Sequence, residues 1–579
     1  MIFSNQVRAF VCALLVATLT GCPGSKPQQS TGTVRVVWPK DPESLCPVTL
    51  PNSYAVQSIN LLYQGLLAID AASRSRVPCL AEAMPRETRD DSLTYLQYRL
   101  NPAATWDNGK PVLASDVAFT LKAHFAPGIP NEGQRAIIDF IQDIRLDAKD
   151  PRAFTLVCRG HAATHAINSG EFSVLPEYLL DPTGVLRAVP VRSFTRPVPN
   201  LEQLPAVLAF QKAFNEASRW RDPQQLRGSG PYELVSWNNG QQLTLARKAH
   251  WWGSQQSHPV FEANPSRIEF HIVPNAATAI LALRRGELDV YPMISGPDFA
   301  RLQQSADSTR FRFYSPPSFR VVVMETNTQH PKLRNALVRQ AMGHLIDVDQ
   351  LVRAVTFGRG RRTTGIINPL ERWAYNDSLP LRSYAPARAA ELLQQAGWQR
   401  RADGWHLPGQ AQPVSLRVAY GAGERTYETI ALLFQQAARQ IGLEVALAPT
   451  EGGLLSEQRR NGEFELALRT LYGNPFFYDL RPLLHSDFVG EHGANRTRFS
   501  NRRADQLMES IVATGDSTSQ ARQLRQLQAL LYDQAPYLPL FFEPFRVVVG
   551  KRLDNARPTG LEPGFAVGSL RAAAEAGGR

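Results

Sequence analysis

The chain has 579 residues, 43% of them hydrophobic and 20% charged, with a formal charge of +11. That is enough apolar material for more than one packed lobe, and it excludes a disordered or collagen-like chain. The one long apolar run lies at the extreme N-terminus, which excludes a polytopic membrane protein, and the five cysteines contain no CxxC pair to build a zinc ribbon or thioredoxin-type centre.

Met1 to Arg8 is short, polar and positively charged, and Ala9 to Leu19 is an apolar run of signal-peptide length. Residues 1–21 therefore read as a cleaved leader. Leu19-Thr20-Gly21-Cys22 resembles a bacterial lipobox, which makes Cys22 the lipidated mature N-terminus; the alternative is a plain cleaved signal with Cys22 an ordinary thiol. Residues 22–32, polar and rich in Pro and Gly, read as a flexible tether. The basic charge is dispersed, and its densest cluster, Arg359 to Arg362, has no aromatic ladder around it. A solvated arginine-rich surface is expected, with no nucleic-acid partner. Of the remaining cysteines, Cys46 and Cys79 are the expected disulfide pair in an oxidising envelope.

In chain order, Thr33 to Trp38 and Leu93 to Leu100 read as strands, the second followed by a turn at Asp107-Asn108-Gly109-Lys110. Tyr232 to Trp237 and Gln242 to Lys248 flank Asn238-Asn239-Gly240 as a hairpin. Arg267 to Val273 alternates as a strand, and Ala276 to Arg285 is a helix stopped by Gly286. Leu333, Leu337, Ala341 and Leu345 line one helix face, and Asp347 with Gln350 resembles a capping box opening a helix that Gly358 ends. Ala385 to Ala396 is a helix capped by Gly397. Between Val414 and Ala448 an alternating strand, an apolar helical stripe ending at Gly442, and a second alternating strand form a βαβ unit, which predicts a parallel sheet. Two α/β lobes of different texture are the simplest architecture.

No hydrolytic machinery stands out. The sequence has no GxSxG, HExxH, P-loop or GxGxxG. His161 and His165 would share a helix face one turn apart, with Cys158 nearby, and so could serve a metal-dependent envelope hydrolase; Gly160 interrupts that helix and no fourth ligand can be named. Leu471 to Asp479 is broken by Gly, Asn and Pro into a loop holding four aromatics, which suits a cleft wall or plain packing.

Several segments, in order, resemble family 5 of the extracellular solute-binding proteins of ABC importers, the group that includes oligopeptide-, dipeptide- and nickel-binding proteins. Pro42-Glu43-Ser44-Leu45-Cys46-Pro47 is similar to its early P-x-S-L-x-P segment and Tyr63-Gln64-Gly65-Leu66 to its Y-E-G-L. Trp106-Asp107-Asn108-Gly109-Lys110-Pro111 with Ala114-Ser115-Asp116-Val117 is similar to its W-x-D-G-x-P…A-x-D-V stretch, and Gly228 to Tyr232 matches G-T-G-P-Y. Arg285-Gly286-Glu287-Leu288-Asp289, the Leu333 to Asp347 helix, Ala389 to Gly397 and Ala535 to Leu540 follow in the family's order.

The resemblance implies an α/β, two-lobed periplasmic binding protein fold of type II (cluster C-like), with an interlobe ligand cleft and two hinge crossings, near Pro274 and near Arg546. The implied division is 33–274 for the first lobe with the family's extra subdomain, 275–545 for the second, 546–571 for a segment returning to the first, and 572–579 for a disordered tail. It implies no enzymatic activity and no cofactor or resident metal. The implied partners are a peptide or similar small solute, an ABC permease with its ATPase, and a membrane reached through the N-terminal lipid; the implied location is the periplasmic or extracytoplasmic face of a bacterial cell envelope, with a monomer as the family's usual state. Asn327, Tyr420, Arg469, Tyr472 and Asn474 are the second-lobe residues expected to line the cleft. Peptide binders hold the ligand's amino group with an acidic residue where this chain has Asn474, so metal chelates and oligosaccharides stay open as ligands beside peptides, and Asp479 is a possible substitute for that acid.

Overall fold

The computed structural model describes residues 32–573, apart from 163, 197, 474–477 and 491–492. Its frame is two large sheets. The first runs Phe311–Tyr314, Val547–Gly550, Val290–Pro292, Thr33–Trp38, Arg267–Ile272, Gln242–Arg247, Tyr232–Asn238. The second runs Arg361–Arg362, Tyr537–Pro544, Pro317–Thr326, Leu466–Tyr472, Ser415–Gly421, Glu444–Thr450. A third sheet of four strands, built from Arg86–Arg89, Leu93–Arg99, Ala153–Arg159 and Ile141–Leu146, belongs to the first lobe, because Leu96, Phe119 and Phe154 share one continuous core with Val36 and Phe270.

Pro317–Thr326 is the spine of the second lobe. Val321, Val322, Val323 and Met324 are each almost fully buried, as expected of a central strand covered on both faces. Val321 and Val323 pack on Leu507, Ile511 and Leu524 of the helices Arg502–Ala513 and Ser517–Gln534. Val322 and Met324 face the other way, onto Val338, Leu392 and Phe434. Burying a side chain of this kind is worth about 1.5–3 kcal/mol, so the two-sided strand anchors both layers.

Local signals set many element ends. The Asn275 side chain accepts from the Thr278 N–H at 3.0 Å and Gly286 takes φ +76°, which bound the helix Ala276–Arg285. Asp347 accepts from the Gln350 N–H at 2.9 Å. The hairpin Tyr232–Asn238/Gln242–Arg247 turns at Gly240, φ +73°. The βαβ unit forms as Ser415–Gly421, Arg425–Gln440 and Glu444–Thr450, with the strands parallel.

Four expectations change. The second sheet is mixed, because Pro317–Thr326 pairs antiparallel with both of its neighbours. The lobe boundary moves from 274 to Ser315–Pro316: Val290 pairs with Val36, and Phe311–Tyr314 pairs with Val547–Gly550, so 275–314 stays with the first lobe. The tail does not begin at 572, since Arg571–Ala572 pairs with Leu553–Asp554. Cys46, Cys79 and Cys158 are all free and buried, so the Cys46–Cys79 disulfide is absent. Among the described residues, no helix is long and apolar enough to cross a membrane.

Asp289 ties the three parts of the first lobe together. Its carboxylate, 2% exposed, accepts from the Arg35 N–H at 2.8 Å and from Arg35 Nε and Nη2 at 3.0 Å each. Arg552 donates to the same carboxylate from the other side. Removing one member of a buried pair strands the remaining charges. Asp289→Asn is therefore expected to cost about 3 kcal/mol, seen as a lower urea midpoint at unchanged slope. Thiol titration of a chain beginning at residue 23 is expected to find three reactive cysteines after denaturation without reductant and none before it.

Candidate functional site

In the first sheet, Thr33–Trp38, Arg267–Ile272 and Val290–Pro292 are parallel. The latter two lead from their carboxyl ends into the helices Ala276–Arg285 and Gly296–Gln304. In the second sheet, Ser415–Gly421 leads into the helix Arg425–Gln440, and Leu466–Tyr472 runs parallel beside it. Carboxyl ends of parallel strands are where open α/β sheets hold ligands. A cleft of about 1100 Å³ lies there, walled by Leu281, Met293 and Ser295 of the first lobe and by Val355, Gly423 and Thr426 of the second. Its floor is made by the crossings themselves, with Arg320, Glu543, Phe545 and Arg546.

Arg320 sits at the junction. Its Nη2 is 3.4 Å from Glu543 Oε2, its Nη1 is 3.7 Å from Met293 Sδ across the seam, and its guanidinium lies 5.2 Å from the Tyr472 ring centroid. Burial works against its charge, but Glu543, aided by Tyr472, Glu562 and Tyr427, holds the Arg320 pKa above the ordinary guanidinium value. Arg546 is different. Burial, with Arg320 and Arg359 adding to it, lowers its pKa against the pull of Glu543. Its Nη2 is buried without a hydrogen-bond partner.

Farther along the seam the lobes touch. Arg74, on the turn of the first-lobe hairpin Leu67–Asp70/Ser75–Pro78, reaches Glu371 of the second lobe at 2.8 Å. Glu371 also accepts from Trp373 Nε1 at 3.2 Å, and Trp373 packs edge-on to Tyr478 at 5.1 Å.

Of the five residues expected to line the cleft, Tyr472 is 66% exposed and lies under the Arg320 guanidinium, beside the cleft lining rather than in it. Asn327 lies at the opposite end of its strand, 3% exposed, donating to the Gly462 and Phe464 carbonyls at 3.0 Å each. Tyr420, 4% exposed, is part of the helix-side core. Arg469 faces the other side of the sheet, where the fully buried Glu325 binds it at 3.1 Å and Arg459 at 2.6 Å. Asn474 lies outside the described residues. The Asp479 carboxylate is taken by Arg481, at 2.9 and 2.6 Å.

The proposed histidine pair does not share a helix face, because the helix begins at His165. His161 Nδ1 lies 3.1 Å from Thr94 Oγ1, and His165 stacks on Phe140 at 4.3 Å. Among the described residues no group of three His, Cys, Asp or Glu is placed to hold a metal ion.

Sequence reasoning missed Arg320, Glu543 and Arg546. The available signal was an arginine set into an apolar run, in Phe319-Arg320-Val321 and Phe545-Arg546-Val547, which is unfavourable unless the charge has a use.

The model of the bacterial extracellular solute-binding proteins, family 5 (middle region), matches residues 76–487. The probable D,D-dipeptide-binding periplasmic protein DdpA of Escherichia coli is 26% identical over 354 residues, 61% of this chain; the match spans 63% of that protein's length. Among solved structures, the oligopeptide-binding protein AppA of Bacillus subtilis, in complex with a nonapeptide, superposes with a TM-score of 0.72 at 18% identity, covering 94% of this chain and 99% of that one. NikA of Brucella suis in complex with Fe(III)-EDTA gives 0.75 at 18% identity, covering 93% and 100%. These structures share the fold: two lobes around a cleft, in a family of binding proteins rather than enzymes. The chain belongs to family 5 of the bacterial extracellular solute-binding proteins.

Proposed function

We propose that this chain captures a peptide or another small solute between its two lobes and delivers it to an ABC permease and its ATPase, anchored on the outer face of a bacterial membrane by a lipid on Cys22. One observation carries the reading: the cleft of about 1100 Å³ is walled by both lobes and floored by the only two segments that join them, among the described residues. A solute touching both walls binds the closed form better than the open one, and that difference in affinity shifts the population toward closure. The volume is generous for a single amino acid and suits a short peptide or a chelate. Peptide capture is favoured by AppA, solved with a nonapeptide, and chelate capture by NikA, solved with Fe(III)-EDTA.

The first measurement is thermal unfolding of the soluble chain with separate pools of short peptides, metal chelates and oligosaccharides. A ligand present at 100-fold over its Kd is expected to add about 2.7 kcal/mol and raise Tm by several degrees; silence from every pool ends the proposal. Closure has its own check. The partly exposed Arg74–Glu371 pair forms only when the lobes meet, and such pairs are worth about 0–1 kcal/mol. Arg74→Ala is therefore expected to weaken the ligand by no more than about fivefold, through a faster off-rate, with unchanged stability of the ligand-free protein.

A further inference from the structure

Resting on that reading, we infer that the solute carries a carboxylate, held at the floor of the cleft by the guanidinium groups of Arg320 and Arg546 on the two crossings. The geometry is that of an incomplete ion cluster. Glu543 reaches Arg320 at 3.4 Å and also acts on Arg546, Glu562 adds a second negative charge on the Arg320 side, and Arg359 adds a third positive charge on the Arg546 side, so guanidiniums outnumber carboxylates by three to two. Arg320 Nε and Arg546 Nη2 are both buried and lack hydrogen-bond partners. A buried unpartnered guanidinium N–H is costly to hold, and a planar carboxylate supplies the paired acceptors that its fork of donors fits.

The remaining charges of the cleft leave that role to these two. Asp298 is engaged by Arg301 and by Ser295 Oγ at 2.6 Å, so it does not face the arginines as a free carboxylate. Arg284 Nε is also buried without a hydrogen-bond partner, but its charge is already paired, with Asp307 Oδ2 at 3.2 Å. Glu424 and Arg425 stand side by side where the helix Arg425–Gln440 opens onto the cleft, and no side chain caps that helix. Its free first-turn N–H groups add to the positive side of the balance. A solute with an ammonium group alone would meet two guanidiniums and be repelled.

Two sources could bring the carboxylate: the C-terminus of a peptide, or a polycarboxylate that is not a peptide. Binding is measured by thermal shift and calorimetry with four probes: a tripeptide pool with free C-termini, the same pool amidated, citrate, and a neutral trisaccharide pool. Binding by the free-acid peptides and not by the amidated ones supports the inference with a peptide source; binding by citrate alone supports it with the other. Equal binding of the acid and amidated pools, or binding of the trisaccharides alone, overturns the inference and leaves solute capture standing. If none of the four binds, the inference is overturned, and solute capture falls with it only if the metal-chelate pool is silent as well.

Two variants locate the site. Arg546→Gln is expected to weaken the carboxylate probe ten- to hundredfold, the loss of one charge-assisted bond, while the Tm of the ligand-free protein holds or rises, because an unpaired buried charge has gone. Glu543→Gln is expected to tighten the same probe several-fold by removing the competing carboxylate. A lower ligand-free Tm for Arg546→Gln, or weaker binding by Glu543→Gln, overturns the assignment.

Discussion

The strand Val547–Gly550 enters the first sheet between Val290–Pro292 and Phe311–Tyr314, and the rest of the architecture depends on that insertion. The chain leaves the first lobe at Ser315–Pro316, builds the whole second lobe, and must come back. A lobe attached by one segment could swing freely; a lobe attached by two adjacent segments is restricted to opening and closing. Asp289 holds the returned strand by bridging Arg35 and Arg552, residues more than 250 positions apart from it in sequence. Because Arg552 also donates to the Thr33 carbonyl at 2.9 Å, the beginning and the end of the first lobe are joined at one buried carboxylate.

The crossings do more than connect. They carry Arg320, Glu543 and Arg546 to the floor of the cleft, where water is partly excluded and charges are felt more strongly than at the surface. The contrast with the Glu325 cluster is instructive. There a fully buried carboxylate satisfies Arg459 and Arg469 together, and the group is structural. At the crossings Glu543 and Glu562 both act on Arg320, but Arg546 Nη2 is left without a hydrogen-bond partner and the site opens onto a large cavity. Between the lobes, contacts such as Arg74–Glu371 are weak enough that a bound solute, rather than the protein alone, decides how long they persist.

What could be read from residue order was whatever depends on neighbours close in the chain. Asp347 caps its helix, Gly240 turns its hairpin, and the Val414 to Ala448 stretch folds as strand, helix and parallel strand, because each is set by a few dihedral angles and an apolar period. Family resemblance extended this to a two-lobed fold. The lobe boundary was misread because the helix Ala276–Arg285 has the same texture as the helices of the second lobe; nothing local reveals which sheet its following strands will join.

Tyr472 stands beside Arg320 whereas Asn327, Tyr420 and Arg469 do not, for a physical reason. Arg469 and Tyr472 differ by three positions along one strand, so they stand on opposite faces of the sheet, and only one face meets Arg320. Asn327 and Tyr420 are buried by packing and by backbone carbonyls that belong to distant segments. The sequence by itself determined the class of fold, the helices, the turns and the family. Which arginines are satisfied and which wait unpaired was decided only when the two crossings met, since pairing depends on groups brought together from positions 320, 543 and 546, and no local rule carries that information.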